Sequence, residues 1–129
     1  MSDKFIVEII SPDRLILNSE ATEVTIPSYE GQMGILKDHI PLITFLRPGV
    51  IYVQNQEEKK YFVEEGTVEF SNNNLLILTS TAKDLKELNQ NSIEDLLNQA
   101  EKKLSDNNSS DKEKYLLSYK INTLKEISQ

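Results

Sequence analysis

Cysteine is absent from the 129 residues of this chain, and histidine occurs once, at His39. The first absence excludes disulfide bonds, thiolate catalysis and cysteine-ligated metals, and it agrees with a reducing compartment. A single histidine excludes a metal site built from several imidazoles. The sequence also lacks a nucleophile elbow, a phosphate-binding loop and a dinucleotide fingerprint. We therefore predict a protein that is not an enzyme and that holds no metal or other cofactor.

Long apolar runs are missing as well. Runs such as Leu75-Leu76-Ile77-Leu78 have the length of a strand and are too short to cross a bilayer. The first residues lack the charged and apolar regions of a signal peptide, so we expect a cytoplasmic protein. Acidic residues outnumber basic ones by 21 to 14, which disfavours binding to nucleic acid and to anionic lipid. Any membrane association is therefore expected to go through another protein.

Glycine and proline are scarce, with four of each, and residues 27–49 hold three of both kinds. Gly31 and Gly34 flank Gln32-Met33, a spacing that predicts a tight turn exposing two side chains. Ile43 to Leu46 lies between two prolines, and we interpret it as a short strand near a sheet edge. Such an edge must be covered, and a partner surface or an intramolecular loop would cover it equally well.

Short alternating segments fill the first two thirds of the chain. In the first of them, Phe5, Val7 and Ile9 share one face, and Pro12-Asp13 then turns the chain. Later segments are separated by polar turns such as Ser71-Asn72-Asn73-Asn74, where asparagine tolerates left-handed geometry. Many short strands with frequent turns predict an all-β sandwich or barrel of antiparallel strands.

The composition changes after Thr81, where helical spacing replaces strand alternation. Ser92 is predicted to cap a first helix and Ser110 a second, each with an acidic residue three positions later. The short polar link between the helices predicts an antiparallel helical hairpin. We place the sandwich at residues 1–84 and the hairpin at residues 85–129. The apolar stripes of the two helices are Ile93, Leu96, Leu97, Ala100 and Leu104, then Leu117, Ile121 and Leu124.

Burial of the first helix contributes little more free energy than its ordering costs, since it offers only about five apolar side chains. Docking of the hairpin is therefore expected to be conditional, on the sandwich in one state and on a different protein in another. The simpler interpretation, in which the hairpin only completes the core, is the one that the sequence alone favours.

Charged and polar side chains elsewhere have ordinary explanations. Glu57-Glu58 and Glu64-Glu65 lie beside turns with lysines nearby, and we interpret both pairs as solvated charges. For His39 we predict a hydrogen bond that fixes the Pro41 loop, in preference to a role as general base.

Three motifs lie close together in the central segment: E-G-x-x-G-I-L from Glu30, D-H-x-P-L from Asp38 and L-x-P-G from Leu46. Together they resemble the signature of the epsilon subunit of F-type ATP synthases, which is called delta in mitochondria. The resemblance extends over the whole chain, strongly to about Ser80. It implies a sandwich of about ten short antiparallel strands followed by an antiparallel helical hairpin. It also implies a non-catalytic rotor subunit of the central stalk, peripheral at the cytoplasmic face of the bacterial inner membrane.

The same resemblance assigns partner contacts. The turn Glu30-Gly31-Gln32-Met33 would touch the polar loops of the ring of c subunits. Relatives carry glutamate at the position of Gln32, and Ile40 replaces their usual alanine. The motifs V-x-I-I-S, D-H-x-P-L-x-T and P-G-V imply contacts with the gamma subunit at Ser11, His39, Thr44 and Val50.

The family's hairpin can extend along gamma to the catalytic headpiece of alpha and beta subunits and block ATP hydrolysis. A basic face for the acidic loop of beta would consist of Lys112, Lys114, Lys120 and Lys125, although an ordinary solvated helix explains these lysines equally well.

Some relatives bind ATP through I-D-x-x-R-A in the first helix. The matching segment here begins with Ile93 and Glu94 and ends with Leu97 and Asn98, so leucine stands in place of the arginine. We therefore predict that ATP binding is weak or absent.

An alternative from another class is a stand-alone β-sandwich that binds a small ligand such as a carbohydrate, with the hairpin as a lid. The absence of tryptophan counts modestly against it, because sugar sites usually stack on that side chain. A buried glycine turn or a deep polar cavity would contradict the interpretation as a rotor subunit.

Overall fold

A computed structural model of the chain describes residues 3–106 and 108–128. Ten strands come first within these residues, and helices follow. The strands are β1 (Phe5–Ile10), β2 (Leu15–Ala21), β3 (Glu23–Ser28), β4 (Gly31–Leu36), β5 (Leu42–Leu46), β6 (Gly49–Gln54), β7 (Glu58–Val63), β8 (Gly66–Ser71), β9 (Asn74–Leu78) and β10 (Lys83–Asp84). The helical part consists of a 3-10 helix (Leu85–Glu87), α1 (Gln90–Leu104) and α2 (Asp111–Ile127). This order confirms the predicted fold class.

Hydrogen bonds join the strands in the order β10-β7-β6-β3-β5-β8-β9-β1-β2, and β4 pairs with β3 outside this path. Among the described pairings, only that of β1 with β9 is parallel. A parallel pair requires a long connection between its strands, and here the seven strands β2 to β8 form that connection. The prediction of antiparallel strands therefore fails at this one ladder, which sequence alternation cannot reveal.

Alternate residues of the strands form the main core. Phe5, Val7 and Ile9 of β1 are all buried, as their alternation predicted. The ring of Phe5 meets that of Phe70 edge-on, with centroids 5.6 Å apart. One edge of β5 pairs with β8 over the whole strand, whereas the other pairs with β3 only at Leu46. β5 thus lies between β3 and β8 in the strand order and not, as was predicted, at an outer edge of the sheet, although its ladder with β3 is only one residue pair long.

Two turns show where local residue chemistry decides the backbone. Asn72 and Asn73 both have positive φ, at 51° and 59°, and join β8 to β9 as predicted. The glycine turn differs from its prediction, because Tyr29 and Glu30 form the turn and Gly31, with φ of 121°, already begins β4. Gly31 alone supplies the positive φ that this turn needs, so the residues after it are free to pair with β3.

The helices begin at polar caps. Asn89, not the predicted Ser92, caps α1, because its side chain accepts a hydrogen bond from the backbone nitrogen of Ser92 at 2.8 Å. Ser110 caps α2 as predicted, accepting from the backbone nitrogen of Glu113 at 3.1 Å. The change from strand to helix falls between Asp84 and Leu85.

The hairpin packs on the sheet through a second and smaller core. Phe62 of β7 is fully buried there against Ile93 of α1 and Leu124 of α2. Further leucine and isoleucine side chains of the helical part are partly buried around these three. None of the helices described is both long enough and apolar enough to span a membrane.

Candidate interaction surfaces

Four apolar side chains and one threonine lie in a row across the outer face of the sheet. Residues that lie opposite each other on paired strands have their side chains on the same face. Pairing across five strands therefore aligns Phe45, Thr67, Leu78, Ile10 and Leu15, which we call the apolar row. Phe45, Leu78 and Leu15 are 58%, 45% and 52% exposed. Because a solvated sheet face normally carries polar side chains, this row marks an interaction surface.

An open groove lies along the same face, and its lining is largely apolar. Besides residues of the apolar row, it is lined by Ser11, Pro12, Tyr29 and Gly66. Gly66 has φ of 153°, and a Cβ at this position would lie 2.4 Å from the carbonyl oxygen of Leu78. Only glycine fits there without a backbone shift. Gly66 therefore serves the close approach of neighbouring strands beneath the groove.

The turn between β3 and β4 is exposed and internally braced. Buried Ser28 donates its hydroxyl hydrogen to the carbonyl oxygen of Gly31 at 2.7 Å and accepts from the backbone nitrogen of Glu30 at 3.3 Å. Glu30 and Gln32, two of the predicted c-ring contacts, are exposed. Met33 is partly buried against the main core and presents less of its side chain than predicted.

The residues predicted to face gamma do not share one surface. Ser11 lines the groove beside the apolar row. Thr44 is the neighbour of Phe45 in β5, and its side chain therefore points to the other face of the sheet. There it is paired with buried Val68 of β8. Val50 lies on the other side of the sandwich, in a hollow beneath the hairpin.

His39 belongs to a loop that is tied to the β8–β9 turn. The backbone nitrogen of Asp38 donates to Oδ1 of Asn73 at 2.7 Å, and Nδ2 of Asn73 donates to Oδ1 of Asp38 at 2.9 Å. Nδ1 of His39 donates to the carbonyl oxygen of Ile40 at 2.7 Å. Its ring meets that of Phe70 edge-on at 5.9 Å. These contacts confirm that His39 fixes its own loop.

The predicted headpiece lysines differ in their surroundings. Lys112, Lys114 and Lys125 are exposed on α2. Lys120 is partly buried and forms an ion pair with Glu64 of the sandwich. Three of the four ammonium groups are therefore accessible while the hairpin is docked.

The segment that matches the ATP motif of some relatives is used for packing. Ile93 is 4% exposed in the second core, and Leu97 is packed against the same core. Glu94 and Asn98 are exposed, and Oε1 of Glu94 lies 3.5 Å from Nε2 of Gln90. These four residues present no cation to a phosphate group.

The remaining polar groups offer little for chemistry. Burial, with the nearby carboxylates of Asp84 and Glu87 adding to it, raises the pKa of the Tyr61 phenol, which keeps that group neutral. No three His, Cys, Asp or Glu side chains in residues 3–106 and 108–128 are arranged to hold a metal ion. The hollow beneath the hairpin mixes charges of both signs, such as Lys60 and Glu126.

The apolar row was not predicted from the sequence, although the residues of β5 indicate that this strand is covered on both faces. Ile43 and Phe45 are apolar, and so are Leu42 and Leu46 on the other face of the strand. Apolar residues on both faces are typical of a strand that is covered on both sides. The other members of the row could not be aligned with Phe45 before the strand order was known.

The sequence matches a known family. The model described as "ATP synthase, Delta/Epsilon chain, beta-sandwich domain" matches residues 4–84. The ATP synthase epsilon chain of Pelagibacter ubique is 45% identical, over 99% of this chain and 100% of the relative. That of Rhizobium etli is 34% identical, over 82% of this chain and 80% of the relative.

Solved structures show the same fold. A chain of the Euglena gracilis mitochondrial ATP synthase, in a structure containing OSCP, F1 and the c-ring, superposes with a TM-score of 0.83 at 20% identity. The match covers 100% of this chain and 84% of that one. A chain of the central stalk and c-ring of the Tetrahymena thermophila mitochondrial ATP synthase gives 0.66 at 14% identity, covering 96% of both chains.

Proposed function

The chain belongs to the ATP synthase delta/epsilon family, and on that premise we propose that it couples rotation of the c ring to the gamma subunit. It is a non-catalytic subunit of the complex. The proposal assigns one role to each surface of the sandwich: the apolar row binds gamma, and the β3–β4 turn meets the c ring. In this proposal the hairpin regulates ATP hydrolysis, and the sandwich transmits rotation.

The apolar row is the observation that carries this proposal. Phe45, Leu78 and Leu15 are exposed in one line on a rigid sheet, so a partner gains apolar burial there without reorganising the sandwich. Ser11, implied by the family motif as a gamma contact, borders the same surface. Thr44 and Val50 lie elsewhere, and we assign them no direct role in this interface.

The β3–β4 turn suits a polar partner. Glu30 and Gln32 are exposed, and Ser28 fixes the backbone between them through two hydrogen bonds. A braced turn loses little entropy when it binds, so its polar side chains can meet polar loops of the c ring with little ordering cost. The chain would be held in this way at the cytoplasmic face of the bacterial inner membrane, as a peripheral subunit.

The hairpin is assigned a regulatory role with alpha and beta subunits as partners in an inhibited state. Lys112, Lys114 and Lys125 are exposed while the hairpin is docked, whereas Lys120 must first leave Glu64. Release of the hairpin would therefore complete a basic face on α2 that acidic groups of the headpiece can bind. ATP has no arginine to bind in α1, so it is not expected to control this step.

Binding of purified gamma to the full chain, measured by titration calorimetry, tests the proposal. Phe45→Ala removes the largest side chain of the apolar row and is expected to weaken binding by about 30-fold, the size of an interface hot spot. Leu36→Ala is the matched control, because Leu36 is 53% exposed but lies outside the row. Equal affinity of the Phe45→Ala chain and the unmodified chain would contradict the assignment.

A further inference from the structure

Three tyrosines and one arginine form a series of ring contacts between α2 and the sandwich. The ring of Tyr29, in the β3–β4 turn, stacks on that of Tyr115 with centroids 6.2 Å apart and planes 8° from parallel. Tyr115 meets Tyr119 edge-on at 4.9 Å, and the guanidinium of Arg47 lies 4.0 Å from the centroid of the Tyr119 ring. We call these four residues the tyrosine–arginine cluster.

The cluster contacts the part of α2 that is least buried. The buried residues of α2 are Ile121, Thr123 and Leu124, all in its C-terminal half. Residues 111–118 include no buried side chain. Contacts of aromatic rings with each other or with a cation each change an equilibrium by about twofold to tenfold, so the cluster weighs heavily where other packing is sparse.

We propose that the tyrosine–arginine cluster controls how firmly the N-terminal half of α2 docks on the sandwich, and that Tyr29 connects this docking to the β3–β4 turn. Tyr29 precedes Glu30 and Gly31 directly, and its backbone nitrogen donates to the carbonyl oxygen of Phe45 at 3.3 Å. A shift of the turn therefore moves a ring on which α2 rests. By linkage, a partner of the turn that changes the docking of α2 by some factor has its own affinity changed by the same factor when α2 docks.

This inference concerns the isolated chain and needs neither gamma nor the c ring, so it goes beyond the proposed function and can fail separately from it. The test compares Tyr29→Ala with Glu30→Ala in the full chain. Both residues are exposed neighbours in one turn, but ring contacts to α2 are described for Tyr29 alone of the two. The main-chain nitrogen of Glu30, which donates to Ser28, is unaffected by its substitution.

Amide hydrogen exchange followed by mass spectrometry measures the opening of α2. In the Tyr29→Ala chain, amides of residues 115–120 are expected to exchange about threefold to tenfold faster, while Glu30→Ala leaves them unchanged. A partner substitution, Tyr115→Ala, is expected to act in the same way. Alanine is the stronger helix former, so faster exchange in that variant cannot come from a weaker intrinsic helix.

Equal exchange of residues 115–120 in the Tyr29→Ala and Glu30→Ala chains would overturn the proposal. If Tyr29→Ala also speeds exchange in β1 and β9, the sandwich itself is disturbed. The Tyr115→Ala chain then provides the test of the proposal, because its sandwich sequence is unchanged. Unchanged exchange of α2 in the Tyr115→Ala chain would likewise overturn the proposal.

Discussion

The sandwich and the helical hairpin of this chain bury very different amounts of apolar surface. Phe70, Ile26 and many other fully buried side chains belong to the main core of the sandwich. The second core, beneath the hairpin, has Phe62, Ile93 and Leu124 at its centre. Because stability scales with the apolar area removed from water, the sandwich holds its shape far more firmly than the hairpin holds its position. A rigid body suits transmission of rotation, and a loosely docked helix pair suits regulation.

The contacts around the two cores differ in kind as well. Strand ladders continue through most of the sandwich. The hairpin adds a partly buried ion pair between Lys120 and Glu64 and the ring contacts of the tyrosine–arginine cluster. The ion pair is expected to contribute about 1 kcal/mol or less and to respond to salt, and each ring contact to change the docking equilibrium by about twofold to tenfold. We therefore expect substitutions in the sandwich to change the free energy of unfolding more than substitutions at the hairpin contacts change the free energy of docking.

The largest effect is expected in the main core. Phe70→Ala removes a ring that is 1% exposed and that contacts the rings of Phe5 and His39. We expect the free energy of unfolding to fall by about 3–5 kcal/mol, because a cavity replaces the ring. Urea denaturation of the full chain measures this change. A loss below about 1 kcal/mol would mean that the main core does not dominate stability.

A smaller and local effect is expected in the second core. Leu124→Ala should cost about 2–4 kcal/mol of docking free energy. Because the sandwich folds around a separate core, the expected result is rapid amide exchange in α1 and α2 with β1 and β9 still protected. If protection fell equally in the helices and in β1 and β9, the two regions would form one cooperative unit and the comparison would not hold.

The ion pair between the regions should contribute less. Lys120→Ala is expected to weaken docking of α2 by at most about 1 kcal/mol, since the pair is only partly buried. The loss should shrink as salt is raised, because screening weakens the pair in the unmodified chain. Lys114→Ala, at an exposed position of the same helix, is the control. A salt-independent difference between these two variants would point to packing by the lysine stem instead.

We expect no measurable binding of ATP to the chain. Leu97 stands where an arginine would meet phosphate, and its side chain packs on the second core. Calorimetric titration of the full chain with ATP should therefore show no binding in the low micromolar range. Heat of binding at that affinity would show that the hairpin carries a nucleotide site built from other residues.

The sequence predicted features that depend on neighbouring residues. Alternation located the strands, Asn72 and Asn73 located a turn, and Ser110 located the start of α2, because each acts within a few residues of itself. The cap of α1 was placed at Ser92 instead of Asn89, since both side chains suit a cap and only the folded chain selects one.

Features that depend on strand order were beyond the sequence. The apolar row becomes visible only when β5, β8, β9, β1 and β2 are known to be neighbours. The stacking of Tyr29 on Tyr115 likewise joins distant parts of the chain. The position of Val50 beneath the hairpin was also beyond the sequence. A motif gives the position of a residue along the chain and does not show which face of the sheet a later helix covers.

The central claim is that the sandwich binds gamma without help from the hairpin, whose role is to regulate ATP hydrolysis. Titration calorimetry of purified gamma against a chain that ends at Asp84 tests it most directly. The fragment keeps β10, which pairs with β7, and all residues of the apolar row. We predict an affinity within about twofold of that of the full chain, because distant regions contribute independently. Loss of gamma binding in the fragment would contradict the claim.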